Sequence, residues 1–200
     1  MNISYSVVIQ AVEKRRYNVD KMLLQLPKST IVHYDKKMIS PKISFYDMLD
    51  YNTMDYRLHL QDDVILPNRF SEYLPYVCKD MQDNKMDVLT LFTPRRKLPK
   101  EQMAKGLKYG VFPNYLMLQA TIFSADFVDK MREYKNIYDI KNKSCDLFVR
   151  HCIKYYKMKA YCHLPSVVQH QVYMGSVIGN ANNALRMSDI YDSNYINKFF

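Results

Sequence analysis

Short β-branched runs alternate with amphipathic stretches along this chain, and that alternation predicts its architecture. Ser6-Val7-Val8-Ile9-Gln10-Ala11-Val12 reads as a buried strand. From about Asn18 to Leu26, the residues Val19, Met22, Leu23 and Leu26 form one helical stripe, which Pro27 ends. Thr30 to Tyr34 is a second strand running into Asp35, which completes a strand, helix, strand unit of the kind that feeds a parallel sheet. The pattern from Lys36 to Thr53 supports no single assignment.

Tyr56 to Leu60 is a further strand, and it ends abruptly in the adjacent carboxylates Asp62 and Asp63. After Pro67-Asn68, the residues Phe70, Tyr73, Leu74, Val77, Cys78 and Met81 recur at helical spacing, with Pro75 expected to kink the helix or detach its first half. Met86 to Phe92 is apolar enough to be a central strand. Periodicity then fades from Thr93 to about Tyr115, where Arg95, Arg96, Lys97, Lys100, Lys105 and Lys108 gather among prolines, so a long basic loop or lid is expected. Tyr115 to Ser124 reads as a strand, Ala125 to Tyr134 as a helix, Cys145 to Tyr156 as a helix capped by Ser144, and Ala160 to Leu164 as a last strand. Strands alternating with helices predict an α/β fold, an open sheet whose ligand site lies where the strands stop. We expect a single domain over 1–180 and a peripheral tail over 181–200.

Composition narrows the chemistry. With 200 residues, 48% apolar and 24% charged, the chain can bury a proper core. Its N-terminus lacks a secretory pattern and no run reaches the roughly 18 apolar residues of a membrane span, so the expected location is cytoplasmic. Four cysteines without a Cys-x-x-Cys pair point to reduced, buried thiols rather than to disulfides or zinc. The net charge of +9 favours polyanionic partners, such as nucleic acid or nucleotide phosphates. Only four glycines occur, in neither a dinucleotide-binding nor a P-loop pattern, so any nucleotide must be held another way. Two neighbouring aspartates at the end of a buried strand repel each other and resist desolvation, which calls for a cation, a basic partner or a chemical task.

The order of these pieces resembles the GT-A-fold glycosyltransferases, over roughly Tyr5 to Asn180. The likeness rests on Leu58-His59-Leu60-Gln61-Asp62-Asp63-Val64 as the acidic metal motif, on Asp146 opening a late helix, and on Leu164-Pro165-Ser166-Val167-Val168-Gln169-His170. It implies a GT-A-like, Rossmann-like open mixed sheet flanked by helices, and transfer of a sugar from a nucleotide-diphospho-sugar donor to an acceptor hydroxyl. Carried over residue by residue, it implies that Asp63 and His170 ligate Mn²⁺ or Mg²⁺ and that Asp62 contacts ribose or sugar. It also implies that Gln10, Ala11, Val12 and Arg15 line the donor base, with Asp35 near the base or ribose. Asp146 resembles the base of an inverting enzyme, with Asp139 in reserve. Gln61 stands where the family often has an acid, and a neutral amide is the weaker ligand. Basic charge, small size and the Lys, Asn, Ile and Tyr usage of an AT-rich coding sequence suggest a phage-type enzyme that glycosylates a hydroxylated base in DNA, working in the host cytoplasm. A saccharide acceptor stays open.

Plainer readings stand beside these. Asp62 and Asp63 can cap a solvated turn, Asp146 is a residue any helix start favours, and His170 can be a structural loop histidine. Tyr109, Phe112 and Tyr115 can stack on a base or sugar, or pin the basic loop to the core. A nucleic-acid-binding protein without catalysis, or a metal-dependent nuclease or phosphotransferase using the same aspartates, are the rival functions.

Overall fold

The computed structural model describes residues 3–36, 40–93, 97–115, 117–137, 144–171 and 187–200. In chain order, β1 (Tyr5–Ala11) leads through a 3-10 turn (Glu13–Arg15) into α1 (Arg16–Leu23), β2 (Ile31–Tyr34), α2 (Pro41–Leu49), β3 (Tyr56–Gln61), β4 (Val64–Ile65) and α3 (Phe70–Asp83). Then come β5 (Val88–Thr90), α4 (Lys97–Ala104), β6 (Tyr109–Val111), β7 (Ala120–Ser124), α5 (Ala125–Ile137), α6 (Cys145–Tyr155), β8 (Ala160–His163) and β9 (Gln169–His170). Seven strands form one mixed sheet in the order β2, β1, β3, β7, β5, β8, β6, and β4 pairs with β9 as a separate ribbon. Strands β1, β2, β3, β5 and β8 run one way, while β7 and β6 oppose them. The chain is therefore α/β, an open mixed sheet flanked by helices, as its alternating pattern predicts.

Strand periodicity splits the core in two. Val7, Ile9, Leu58, Leu60, Leu89 and Ile122 pack against Val19 and Met22 of α1 and the apolar stripe of α3. Val88, Phe123, Ala160 and Cys162 face the other way, toward Phe45 of α2, Phe127 and Met131 of α5, and Phe148 of α6. Residues i and i+1 of a strand serve opposite layers, so both faces must be apolar, and the central strands read as continuous hydrophobic runs. All four cysteines are buried, unpaired thiols.

Several elements differ from the sequence reading. Helix α3 is continuous through Pro75. A proline inside a helix leaves the carbonyl four residues earlier without its donor, and here the Tyr5 hydroxyl donates to the Ser71 carbonyl at 3.4 Å. The expected basic loop contains α4 and β6. Pro99 is tolerated because it falls in the first turn of α4, where N–H groups have no helical partner. Strand β6 exists because β8 pairs with it, Tyr109 with His163 and Gly110 with Cys162. A Cβ on Gly110 would come within 2.3 Å of the Gln102 side chain and 2.9 Å of Leu164, so only glycine lets both lie over this strand. The ambiguous stretch contains α2, which Ser40 caps by accepting from the Lys42 amide at 3.2 Å. Residues 187–200, part of the expected peripheral tail, dock on the body: Ile196 is 1% exposed and Tyr191 bridges Ser166. Residues 181–186 lie outside the described residues, as do Arg95, Arg96 and Asp139. No helix among the described residues is long and apolar enough to cross a membrane.

Candidate functional site

The acidic pair sits where β3 leaves the sheet. Gln61 still bonds to Gln119, amide to carbonyl at 2.9 Å, and the Asp62 amide donates to the Gln10 carbonyl at 3.1 Å, making the last rung of the β1–β3 ladder. The chain then peels away. The Asp63 carbonyl accepts from the Gln171 amide at 2.7 Å, and the two-stranded ribbon begins there, with Val64 opposite His170 and Ile65 opposite Gln169. This ribbon carries a histidine from the end of the described body back to the end of β3. His170 Nε2 lies 3.2 Å from Asp63 Oδ2.

Asp62 is locked from three sides. Its Oδ2 accepts from the Val12 amide at 2.7 Å, its Oδ1 accepts from Arg15 Nη1 at 2.6 Å, and its own carbonyl accepts from the Asn18 side chain. The same Arg15 nitrogen is 3.2 Å from Asp63 Oδ2. Arg15 reaches inward because the 3-10 turn after β1 reverses the chain, and Glu13 and Arg16 of that corner remain outside and pair with each other. The cluster is deeply placed: Asp62 is 4% exposed, Arg15 6%, Asp63 9% and His170 2%. Burial pushes the Asp62 carboxyl up, and the Val12 amide and Arg15 offset this only in part.

Gln169 holds the histidine in place. Its amide oxygen accepts from the His170 amide at 3.0 Å and from the Ser188 amide at 2.8 Å, while its nitrogen donates to the Ser188 carbonyl at 3.0 Å. Neither ring nitrogen of His170 makes a hydrogen bond among the described residues, since the contact to Asp63 lacks the alignment. A buried imidazole whose ring nitrogens make no hydrogen bond, with a carboxylate oxygen 3.2 Å from Nε2, can serve as a metal ligand beside that carboxylate.

The other residues implied by resemblance divide. Val12 and Arg15 belong to the acidic cluster itself. Gln10 is 8% exposed and donates its side-chain amide to the Pro41 carbonyl at the start of α2, and Ala11 is 2% exposed and packs in the core. Asp35 continues the ladder past β2, its amide on the Ala11 carbonyl at 2.8 Å, so it stands at the same strand-end edge. Asp146 lies in the first turn of α6, where Ser144 caps by accepting from the Leu147 amide at 3.3 Å. That places it on the α2, α5 and α6 side of the sheet, where its charge helps burial push the Tyr115 hydroxyl up. Phe112 and Tyr115 are buried, and Tyr109 and Lys108 both bond to Asp80, so this segment is pinned to the body. Asn18 and Gln169 were missed by sequence reasoning. Asn18 acts across 44 residues of sequence and no local pattern marks it, whereas Gln169 stands inside the motif that ends in His170 but was given no role of its own.

Among the described residues, no group of three or more His, Cys, Asp or Glu side chains is placed to hold a metal ion. Asp63 and His170 are nonetheless a two-donor set, one hard oxygen and one imidazole. Such a set fits Mn²⁺ or Mg²⁺ that takes its other ligands from phosphate and water, a common arrangement for nucleotide-bound cations.

No family model matches the chain, and no curated protein matches it. Among solved structures, it is similar to a CMP:2-keto-3-deoxy-manno-octonic acid synthetase complexed with CTP, at 10% identity and TM-score 0.47, covering 78% of this chain and 88% of that one. It is also similar to TarS 1-349 of S. aureus, at 12% identity and TM-score 0.46, over 80% of this chain and 58% of that one. A third is the inositol-1-phosphate CTP transferase of T. maritima, at 15% identity and TM-score 0.41, over 80% and 69% of the two chains.

Proposed function

We propose that the chain is a GT-A-like, metal-dependent glycosyltransferase that moves a sugar from a nucleotide-diphospho-sugar donor to an acceptor hydroxyl, with inversion. The observation that carries this reading is the buried Asp63 and His170 pair, brought together at the carboxyl end of β3 by the β4–β9 ribbon. Asp63 and His170 would hold Mn²⁺ or Mg²⁺, which when bound neutralises the charge that develops on the departing diphosphate. Asp62, fixed by Val12 and Arg15, keeps the end of β3 against the corner after β1, and Asp35 stands at the neighbouring strand end, so donor ribose and base are read along this edge. Asp146 accepts the proton of the acceptor hydroxyl as it attacks, a role that requires an ionised carboxylate, and the start of α6 favours that charge state.

For the acceptor we propose a hydroxylated base in DNA, supported by the charge of +9, with a saccharide as the competing substrate. The test is incubation with radiolabelled nucleotide sugars, manganese and either hydroxymethylated DNA or small glycans. Label transferred to DNA is the expected result, and label that stays soluble with every DNA rejects the DNA acceptor. The same charge favours one second reading, a nucleic-acid-binding protein without catalysis. It would show steep salt dependence of binding and no gain in thermal stability from Mn²⁺ plus a nucleoside diphosphate.

A further inference from the structure

Arg15 occupies a place that the transferase reading alone does not explain. Resting on that reading, we infer that Arg15 is a built-in counter-cation for the acidic pair, so that a divalent ion enters only together with the donor diphosphate and does not reside in the free protein. One guanidinium nitrogen contacts both carboxylates, at 2.6 Å to Asp62 Oδ1 and 3.2 Å to Asp63 Oδ2. The second of these oxygens is also the one that faces His170. A metal held by Asp63 and His170 would therefore sit close to a positive charge that is 6% exposed and held in place by Asp62. Like charges in a buried site repel strongly, because little water is present to screen them.

The donor set reinforces this conclusion. Two protein ligands make a weak site for a divalent cation in water, and the same two ligands suffice when a diphosphate supplies further oxygens. The diphosphate also adds the negative charge that offsets the guanidinium. Metal and donor are then linked: each strengthens the binding of the other, and Arg15 sets how much of that linkage the protein enforces.

Mn²⁺ binding to the full chain, followed by the electron paramagnetic resonance signal of the free ion, tests this with each of the four ribonucleoside diphosphates and with none. In the parent, Mn²⁺ alone binds weakly, and one diphosphate tightens it by about tenfold or more. In Arg15→Gln, Mn²⁺ alone binds about tenfold more tightly than in the parent and raises the unfolding temperature, because the ion now supplies the positive charge that the guanidinium brought to the two carboxylates. Arg15→Lys keeps the positive charge and must resemble the parent with Mn²⁺ alone. An Arg15→Gln protein that binds Mn²⁺ alone no better than the parent, or an Arg15→Lys protein that binds it tightly, overturns the inference. A parent that binds Mn²⁺ as tightly without any diphosphate as with each of the four shows no linkage and also overturns it. A parent that fails to bind Mn²⁺ under every condition rejects the metal-dependent reading on which the inference rests.

Discussion

Two clusters of carboxylate, cation and buried histidine lie in this protein, the carboxylate buried in one and half-buried in the other, and they are wired differently. At the β6 and β8 edge, His163 is fully buried with both ring nitrogens used: Nδ1 meets the Pro165 carbonyl at 2.7 Å and Nε2 meets the Tyr73 hydroxyl at 2.8 Å. Beside it, Asp80 Oδ2 accepts from Lys108 at 2.5 Å and from the Tyr109 hydroxyl at 2.6 Å. At the end of β3, His170 has neither nitrogen hydrogen-bonded among the described residues, and it faces a carboxylate already shared with Arg15. The first arrangement is closed, with its polar groups satisfied by neighbours, which is what stability asks of buried polar atoms. The second keeps coordination in reserve, and stability alone gives no reason for that.

The strongest way to break this contrast is to exchange the expected phenotypes. Asp63→Ala should lose Mn²⁺ and donor binding and lower transfer by about a hundredfold or more, measured with labelled donor. Its fold should survive, since Arg15 keeps its contact to Asp62. If Asp63→Ala retains parental transfer, the open cluster is not the donor seat. Asp146→Asn sharpens the division of labour: donor binding by thermal shift stays parental while turnover falls by about a hundredfold or more. Equal turnover in Asp146→Asn and the parent removes Asp146 as the base.

How much of this was visible in the chain depends on range. Strands β1, β3 and β7 and helix α3 declare themselves because their apolar spacing is local, and the acidic pair stands out because two carboxylates rarely end a buried strand without a partner. Helix α2 hid because Ile43 faces solvent while Ser44 is buried, which blurs the stripe, although Ser40-Pro41 was a legible start signal. Strand β6 is three residues long and owes its state to β8, so no local pattern announces it. The site follows the same rule. His170 was found by its place in a motif, whereas the lock on Asp62 depends on a 3-10 corner and on Asn18, 44 residues away in sequence.

Acid probes the closed cluster and the sheet interior. Burial lowers His163 from 6.5 to about 4 and, in the sheet interior, lowers His59 from 6.5 to about 3. Both are neutral when folded, whereas the unfolded chain takes up their protons once pH drops below about 6.5. Stability is therefore undiminished above pH 6.5 and falls as pH is lowered from there toward the folded values, by a few kcal/mol for each histidine and more for His59 than for His163. Unfolding temperature measured from pH 7.5 to 4.5 should show this decline, and His59→Gln should flatten it. An equally steep decline in His59→Gln would show that its proton uptake is not a cause.

The smallest effect probes the closed cluster alone. In Tyr73→Phe the ring still packs on His163, Tyr195 and Phe199, with centroids 5.9, 6.1 and 5.2 Å away, so apolar burial is unchanged. What disappears is the hydroxyl on His163 Nε2, which leaves one buried ring nitrogen without a partner, a loss of about 1–3 kcal/mol. Donor binding and transfer should not change at temperatures well below unfolding, because the histidine that matters to them is His170, on the β4–β9 ribbon. A drop in transfer as large as that of Asp63→Ala would mean that the two clusters are coupled. The division between a satisfied histidine and an open one would then lose its meaning.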